Sequence, residues 1–180
     1  MDPGAGEEFT EWSVAGTAVR IRPIVPDDAA RLATGLARLS PEARFARFHY
    51  AKGAFSAGEL RRLTWSDGVL QYALVADLPR EPGAPLVAVA RWVRDAPEAD
   101  TAEVAYVTGD GWQRRGLGRA LIRRLAAQAR CAGIARFRAE VIVGNTAAVK
   151  LLESVGAPEQ ETDLGSGVAE LVYRLEPAAE

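Results

Sequence analysis

A glycine- and arginine-rich stretch, Val107-Thr-Gly-Asp-Gly-Trp-Gln-Arg-Arg-Gly-Leu-Gly118, joins a predicted strand to a long predicted helix. The first turn of a helix leaves several backbone N–H groups unpaired and carries a partial positive charge. Glycines at such a turn let the backbone approach a pyrophosphate closely, because no Cβ stands in the way. Arg114, Arg115 and Arg119 add positive charge at the same end of the helix. The stretch therefore predicts a phosphate-binding loop.

Three phosphate-loop patterns can be compared with this stretch. A dinucleotide fingerprint, Gly-x-Gly-x-x-Gly, begins at Gly109 but meets Arg114 at its third glycine. A Walker A loop needs Gly-Lys-Ser/Thr, which the stretch lacks. The pattern Gln/Arg-x-x-Gly-x-Gly/Ala is matched in full from Gln113 to Gly118. The remaining alternative is that these glycines only shape a tight strand-to-helix turn.

Hydrophobic periodicity and capping signals predict an α+β (mixed α/β) fold with one central sheet. Five helices are predicted: one opening at Pro26 with Asp27 as its cap, one after Ser40, a short one after the capping box Ser56–Glu59, a long one at 117–132 and one at 145–155. Strands are predicted at 12–14, 18–24, 70–76, 86–93, 101–108, 136–143 and 168–175.

The loop from Gln113 to Gly118 resembles the acetyl-CoA pyrophosphate loop of the GNAT (Gcn5-related N-acetyltransferase) superfamily. A second stretch, residues 139–156, resembles the next motif of that family, with Asn145, Ala148 and Gly156 in the matching places. Together the two motifs extend the resemblance over roughly residues 18–175. The resemblance implies the GNAT fold, a twisted mixed sheet of six to seven strands flanked by helices and splayed between strands 4 and 5.

The same resemblance implies a set of cofactor-binding residues. A bulge in the fourth strand would open a slot in which backbone groups of Val107 and Thr108 pair with the pantetheine arm of acetyl-CoA. The phosphate loop and an asparagine that caps the following helix would complete the site. The implied cofactor-binding residues are Val107, Thr108, Gln113, Arg114, Arg115, Gly116, Leu117, Gly118, Arg119 and Asn145.

Upstream segments 17–23, 39–48 and 60–63 resemble the GNAT domain of bacterial protein lysine acetyltransferases, which modify acyl-CoA synthetases. This likeness implies a protein lysine as the acceptor, with a small amine as the alternative. It also implies that Glu103 is the base that removes the proton from the amine. Glu140 is the second candidate, and an exposed strand carboxylate without a catalytic role is the alternative for both.

Leu152 stands where family members commonly place the tyrosine that protonates the leaving thiolate. The proton would then come from water or from another side chain. This departure also motivates a different class of function, an acyl-CoA-binding sensor or regulatory module without turnover. His49, within the aromatic segment 45–50, is predicted to pack a helix on the sheet, with acceptor-site lining as the alternative.

Composition excludes several other classes of protein. A net charge of −2 argues against nucleic-acid binding, and one cysteine and one histidine argue against a metal site. No apolar run approaches a membrane span, and the lone Cys131 fits a reducing cytoplasm. We expect one GNAT domain at 12–176, between a flexible acidic tail at 1–11 and a short tail at 177–180.

Overall fold

The computed structural model describes residues 10–177 and contains eight strands and five α-helices within them. The strands are β1 (Thr10–Val14), β2 (Thr17–Pro23), β3 (Gln71–Asp77), β4 (Leu86–Val93), β5 (Thr101–Thr108), β6 (Arg136–Ile142), β7 (Gly156–Gly165) and β8 (Val168–Leu175). The helices are α1 (Ala29–Arg38), α2 (Pro41–Phe48), α3 (Ala57–Thr64), α4 (Leu117–Cys131) and α5 (Thr146–Glu153). Residues 1–9 and 178–180 of the expected tails lie outside the described range, and β1 begins at Thr10, inside the expected N-terminal tail.

All eight strands form one sheet in the order β1-β2-β3-β4-β5-β6-β8-β7. Every neighbouring pair is antiparallel except β5 and β6, which are parallel. The predicted α+β fold with a mixed sheet is therefore confirmed. The prediction of six to seven strands is one short, because β7 was missed. Most of β7 is exposed and polar at the edge of the sheet, so it lacks the apolar alternation that signals a strand.

The two faces of the sheet bury different helices. The face that we call the α4 face carries alternate residues such as Leu74, Ala90 and Trp92, which join one apolar cluster with the buried side of α4. The opposite face, the α1 face, carries Ala73 and Val75, which pack with residues of α1. This alternation follows from the two-residue period of a strand, and it decides on which side each site residue lies.

Helix starts mostly follow the capping signals. Ser40 and Ser56 accept hydrogen bonds from the backbone N–H groups three residues later, as predicted. The prediction for Asp27 is wrong, because Asp28 is the residue that precedes α1, and it makes no side-chain hydrogen bond to the helix amides; its buried carboxylate accepts a bond from the Val25 N–H. Asp28 is held there by Arg22, and a short 3-10 helix, Pro26–Asp28, precedes α1.

Strands β5 and β6 separate after their first three residues. Their pairing runs from Thr101 opposite Arg136 to Glu103 opposite Arg138 and stops there. Beyond this point β5 stays paired with β4 as far as Thr108, and β6 stays paired with β8 over its whole length. The predicted splay is thus confirmed. The strands that the prediction numbered 4 and 5, the first of which carries Val107 and Thr108, are β5 and β6 of this structure. The expected bulge is absent from the β4–β5 register, which is continuous from Glu103 to Thr108.

Candidate active site

A cleft of about 1000 Å³ opens where β5 and β6 separate. Helix α2 forms its wall on the α1 face, and α5 with the start of α4 forms its wall on the α4 face. The predicted site residues that line the cleft are Glu103, Val107, Thr108, Gln113, Arg114, Gly116, Gly118, Arg119 and Asn145. Residues that the sequence places on one strand, one loop and the starts of two helices therefore meet around one space.

The backbone of β5 presents hydrogen-bonding groups to the gap at alternate residues. The N–H of Gly109 donates to the carbonyl oxygen of Val87 at 2.8 Å, so odd-numbered residues of β5 pair with β4. Val107 therefore directs its backbone groups to β4, and the expectation that it would bind the cofactor through them is corrected. Tyr106 and Thr108 are the residues whose backbone groups face the gap. Sequence reasoning missed Tyr106, because hydrogen-bond parity depends on the register with β4.

The loop before α4 is built from residues with left-handed backbone conformations. Arg114 has φ of 57° and Gly116 has φ of 82°, and Gly116 directly precedes the first turn of α4. Gly118 is a site of close approach, because an added Cβ would lie 3.4 Å from Leu151 Cδ1 and 3.6 Å from Thr108 Oγ1. Gly116 and Gly118 line the cleft at the start of α4, and the first N–H groups of a helix have no partner within it, as an anion-binding helix start requires.

Not all of the predicted loop side chains face the cleft. Leu117 is fully buried in the core and anchors the start of α4. Arg115 places its guanidinium 5.6 Å from the ring centroid of Trp112, and its side chain does not line the cleft. Arg114 and Arg119 are exposed and do line it. Two of the three predicted arginines therefore stand where they could neutralise a phosphate.

Helix α5 closes the cleft on the α4 face. Asn145 caps this helix, since its Oδ1 accepts a hydrogen bond from the Ala148 N–H at 3.1 Å. Leu151 and Ser154 line the cleft, whereas Leu152 is fully buried in the core. The position at which a tyrosine was considered therefore faces the core in this chain and does not reach the cleft.

The loop is tied to helix α2 across the cleft. Asp110 accepts hydrogen bonds from both the N–H and the hydroxyl of Ser40, each at 2.9 Å. These bonds lower the pKa of Asp110. Gln113 lies beside them, and its side-chain amide donates to the carbonyl oxygen of Thr108 at 3.3 Å. Sequence reasoning missed the contact between Asp110 and Ser40, because 70 residues separate them.

Charged side chains cluster on the α1 face at the closed end of the gap. The Glu103 side chain is 58% exposed, and its Oε2 lies 4.0 Å from Arg138 Nη2. Glu140 lies on the neighbouring strand, with its Oε2 3.5 Å from His49 Nδ1. Arg47, which sequence reasoning missed, also lines the cleft, and burial lowers its pKa although Glu103 opposes that effect. Glu103 thus has access to water inside the cleft and a cation on either side.

Within residues 10–177, no group of three or more His, Cys, Asp or Glu side chains is arranged to hold a metal ion. No helix in this part of the chain combines the length and the apolar character that a membrane crossing demands.

Comparison with models of protein families shows which known family shares this arrangement. The model of the acetyltransferase (GNAT) family matches residues 45–157, from α2 through the phosphate loop to the start of β7. The chain belongs to the GNAT acetyltransferase family. The GNAT match spans both walls of the cleft and the separated strands between them, so the site described above is the part of the chain that the family shares.

Individual relatives agree with this assignment to the GNAT family. "Acetyltransferase Pat" of Mycolicibacterium smegmatis is 31% identical over 159 residues, which are 84% of this chain and 44% of that protein. The chain thus spans less than half of the length of this curated relative. The predicted membership of the GNAT superfamily and the predicted likeness to bacterial protein acetyltransferases are confirmed.

Solved structures show the same fold. The GNAT domain of S. lividans PAT is 32% identical, with a TM-score of 0.79 over 93% of this chain and 97% of that one. A cAMP-binding acyltransferase from Mycobacterium smegmatis is 26% identical, with a TM-score of 0.63 over 94% of this chain and 48% of that one. The GNAT fold predicted from the phosphate loop is confirmed by these structures.

Proposed function

We propose that this chain is an acyl-CoA-dependent N-acetyltransferase that moves an acetyl group from acetyl-CoA to a primary amine, with a protein lysine as the first choice of acceptor. Direct attack of the amine on the thioester, within a ternary complex, is the proposed route. One observation carries the proposal: the gap between β5 and β6 exposes backbone groups of Tyr106 and Thr108 and leads to the start of α4.

The residues around this gap suit a CoA thioester. Pantetheine is a chain with two amides, and amides pair with the free backbone groups of a strand. Its pyrophosphate would lie at the first turn of α4, where Gly116 and Gly118 keep the backbone accessible and Arg114 and Arg119 add charge. A side chain at Gly118 would narrow this approach, since its Cβ would contact Leu151 and Thr108.

Glu103 is the proposed base. An amine acceptor such as lysine has a pKa of about 10.4, so it must lose a proton before it attacks. The Glu103 carboxylate is more than half exposed at the closed end of the gap, where a water molecule could relay the proton. Glu140 lies close by, but its Oε2 contacts His49 Nδ1 at 3.5 Å, and this contact makes Glu140 the weaker candidate for the base.

A protein acceptor is favoured by the likeness to Acetyltransferase Pat and to the GNAT domain of S. lividans PAT. An acyl-CoA synthetase is the first candidate protein, and the cytoplasm, where CoA thioesters are made, is the proposed location. A small amine is the alternative acceptor, and the assay described next distinguishes it from a protein lysine.

The proposal is tested by calorimetric titration with acetyl-CoA and CoA, followed by a thiol-release assay against small amines and acyl-CoA synthetases. We expect binding of both nucleotides and thiol release with a protein acceptor. Binding without release for any acceptor would favour an acyl-CoA sensor. Absence of binding would refute the phosphate-loop argument and the proposal with it.

Two carboxylate variants separate the proposed base from its neighbour. Glu103→Gln should lower kcat by about 10²-fold, because it keeps the shape of the side chain and removes the basic oxygen. Glu140→Gln is the matched control and should stay within about threefold of the wild type. Unchanged turnover of Glu103→Gln would remove this residue from the mechanism.

A further inference from the structure

The leaving sulfur needs a partner that the proposed base does not supply. When the amine attacks, the C–S bond breaks and CoA departs as a thiolate, which a hydrogen-bond donor would stabilise. Leu152 occupies the position on α5 at which a tyrosine was considered, and it is fully buried. Within the proposed function, the donor must therefore be sought elsewhere in the cleft.

Four residues with a hydroxyl group line the cleft, and two of them already donate to other atoms. Ser40 donates its hydroxyl to Asp110 Oδ1 at 2.9 Å and lies on the α1 face. Ser154 donates its hydroxyl to the carbonyl oxygen of Leu151 at 2.7 Å. Neither proton is free for a leaving group. The other two hydroxyl residues are Tyr106 and Thr108.

Position along β5 distinguishes these two. Thr108 lies at the phosphate end, with its Oγ1 3.6 Å from the place that a Gly118 Cβ would occupy. Tyr106 lies two residues closer to Glu103, which is about 6.6 Å along a strand. Among residues 10–177 the Tyr106 hydroxyl makes no hydrogen bond, and it is not among the buried polar atoms that lack a partner. Its proton is therefore not committed to another atom of the described residues, and Tyr106 lines the cleft.

Strand alternation places the two chemical groups on opposite faces of the gap. Glu103 is odd-numbered and points to the α1 face, where α2 and Glu140 lie. Tyr106 is even-numbered and points to the α4 face, where it packs against the core cluster that includes α4. A thioester held in the gap between the strands would thus meet the base on one side and a phenol on the other.

We propose that Tyr106 is the hydrogen-bond donor that stabilises the leaving CoA sulfur as a thiolate. The ammonium loses one proton to Glu103, the amine nitrogen forms a bond to the acyl carbon, and the C–S bond breaks with its electron pair on sulfur. Tyr106 Oη keeps its proton and donates a hydrogen bond to that sulfur, and the second proton of the attacking nitrogen passes through water in the cleft to the thiolate. The balance is acyl-CoA plus R–NH₃⁺ giving the amide, CoA-SH and H⁺.

The environment of Tyr106 keeps it in the donor form. The residue is half-buried, and burial raises its pKa well above the usual value for tyrosine. The phenol is therefore protonated throughout the physiological range, so it can act as a donor and cannot act as a base. A hydrogen bond to the thiolate would in turn lower the pKa of the bound CoA thiol.

The test measures the thiol of bound CoA by its thiolate absorbance as pH rises, in the wild type, Tyr106→Phe and Ser154→Ala. In the wild type the thiol pKa should fall below that of free CoA. Tyr106→Phe should raise it by about one unit and lower kcat by about 10²-fold with KM for acetyl-CoA little changed. Ser154→Ala, the control hydroxyl on the same face, should change neither quantity.

Two results would overturn the role of Tyr106. One is a bound-thiol pKa that is the same in the wild type and Tyr106→Phe. The other, which decides the matter even if the variant fails to fold, is a wild-type thiol pKa that binding does not lower. Failure of the wild type to bind CoA would instead refute the proposed function, so the two failures can be told apart.

Discussion

Replacing Gly156 with alanine should strongly destabilise the protein, because the backbone of β8 occupies the space that a side chain would need. An ideal Cβ at Gly156 lies 2.3 Å from the carbonyl oxygen of Arg174 and 3.3 Å from the Cα of Leu175. Even close carbon–oxygen contacts are about 3.3 Å long, so the two strands must separate by roughly 1 Å. Both neighbouring atoms belong to the main chain, so no side-chain rotation relieves the contact.

The expected cost lies at the upper end of the range for overpacking. Inserting a methyl group into a packed interior costs about 1–3 kcal/mol, and the larger value applies because Gly156 is buried and its neighbour is backbone. For a chain of this size, about 3 kcal/mol lowers Tm by roughly 6–12 °C. Urea unfolding followed by circular dichroism measures the loss as a lower midpoint with an unchanged slope.

Gly53→Ala is the matched control for this substitution. An added Cβ at Gly53 has no neighbour within 4 Å, and the residue does not have a positive φ. Its unfolding free energy should stay within about 0.5 kcal/mol of the wild type. If Gly156→Ala also unfolded at the wild-type midpoint, β7 would be free to move away from β8, and the reasoning from close backbone approach would be refuted.

Two further substitutions test charged contacts. Asp28 is buried, which opposes its ionisation, but hydrogen bonds from Arg22 and the Val25 N–H prevail and lower its pKa below the ordinary 3.8. Its ionised form therefore stabilises the protein above that pH, and this stabilisation is lost on acidification. Asp28→Asn should lower the free energy of unfolding by about 3–5 kcal/mol at pH 7. Urea unfolding at several pH values should also show a flatter loss of stability on the acid side in this variant. Asp110→Asn weakens the contact with Ser40, so calorimetry should show CoA binding about threefold weaker, with at most about 1 kcal/mol lost from the unfolding free energy.

Much of the sheet could be predicted because its central strands are buried and flanked by clear turn signals. The strands at 86–93, 101–108 and 168–175 have the predicted bounds, and each carries apolar residues at the buried positions. Strand β7 could not be predicted in this way. Its residues are held by pairing with β8 at the edge of the sheet, and a strand without a buried face leaves no periodic signal.

The candidate site was predicted where it depends on local sequence and missed where it depends on register. The loop from Gln113 to Gly118 shapes its own turn, so its position before α4 could be recognised from its glycines. Whether Val107 or Tyr106 presents its backbone groups to the gap depends on a difference of one residue in the pairing of β5 with β4. Such a shift changes which backbone groups are free, and no feature of either side chain reports it.

The gap between β5 and β6 also explains why side-chain substitutions inside it should affect chemistry more than binding. Each of the two strands keeps its outer neighbour, so the separation leaves unpaired only the backbone groups that face the gap. The Thr108 carbonyl oxygen accepts a hydrogen bond from the Gln113 side chain, whereas the backbone groups of Tyr106 and the Thr108 N–H are held in a strand conformation and must pair with water or with a ligand. A ligand with amide groups can satisfy them without any adjustment of the sheet, and replacing a side chain leaves the backbone groups in place. Substitution of the Tyr106 or Thr108 side chain should therefore leave CoA affinity nearly unchanged, whereas the protons that move during catalysis depend on the side chains themselves.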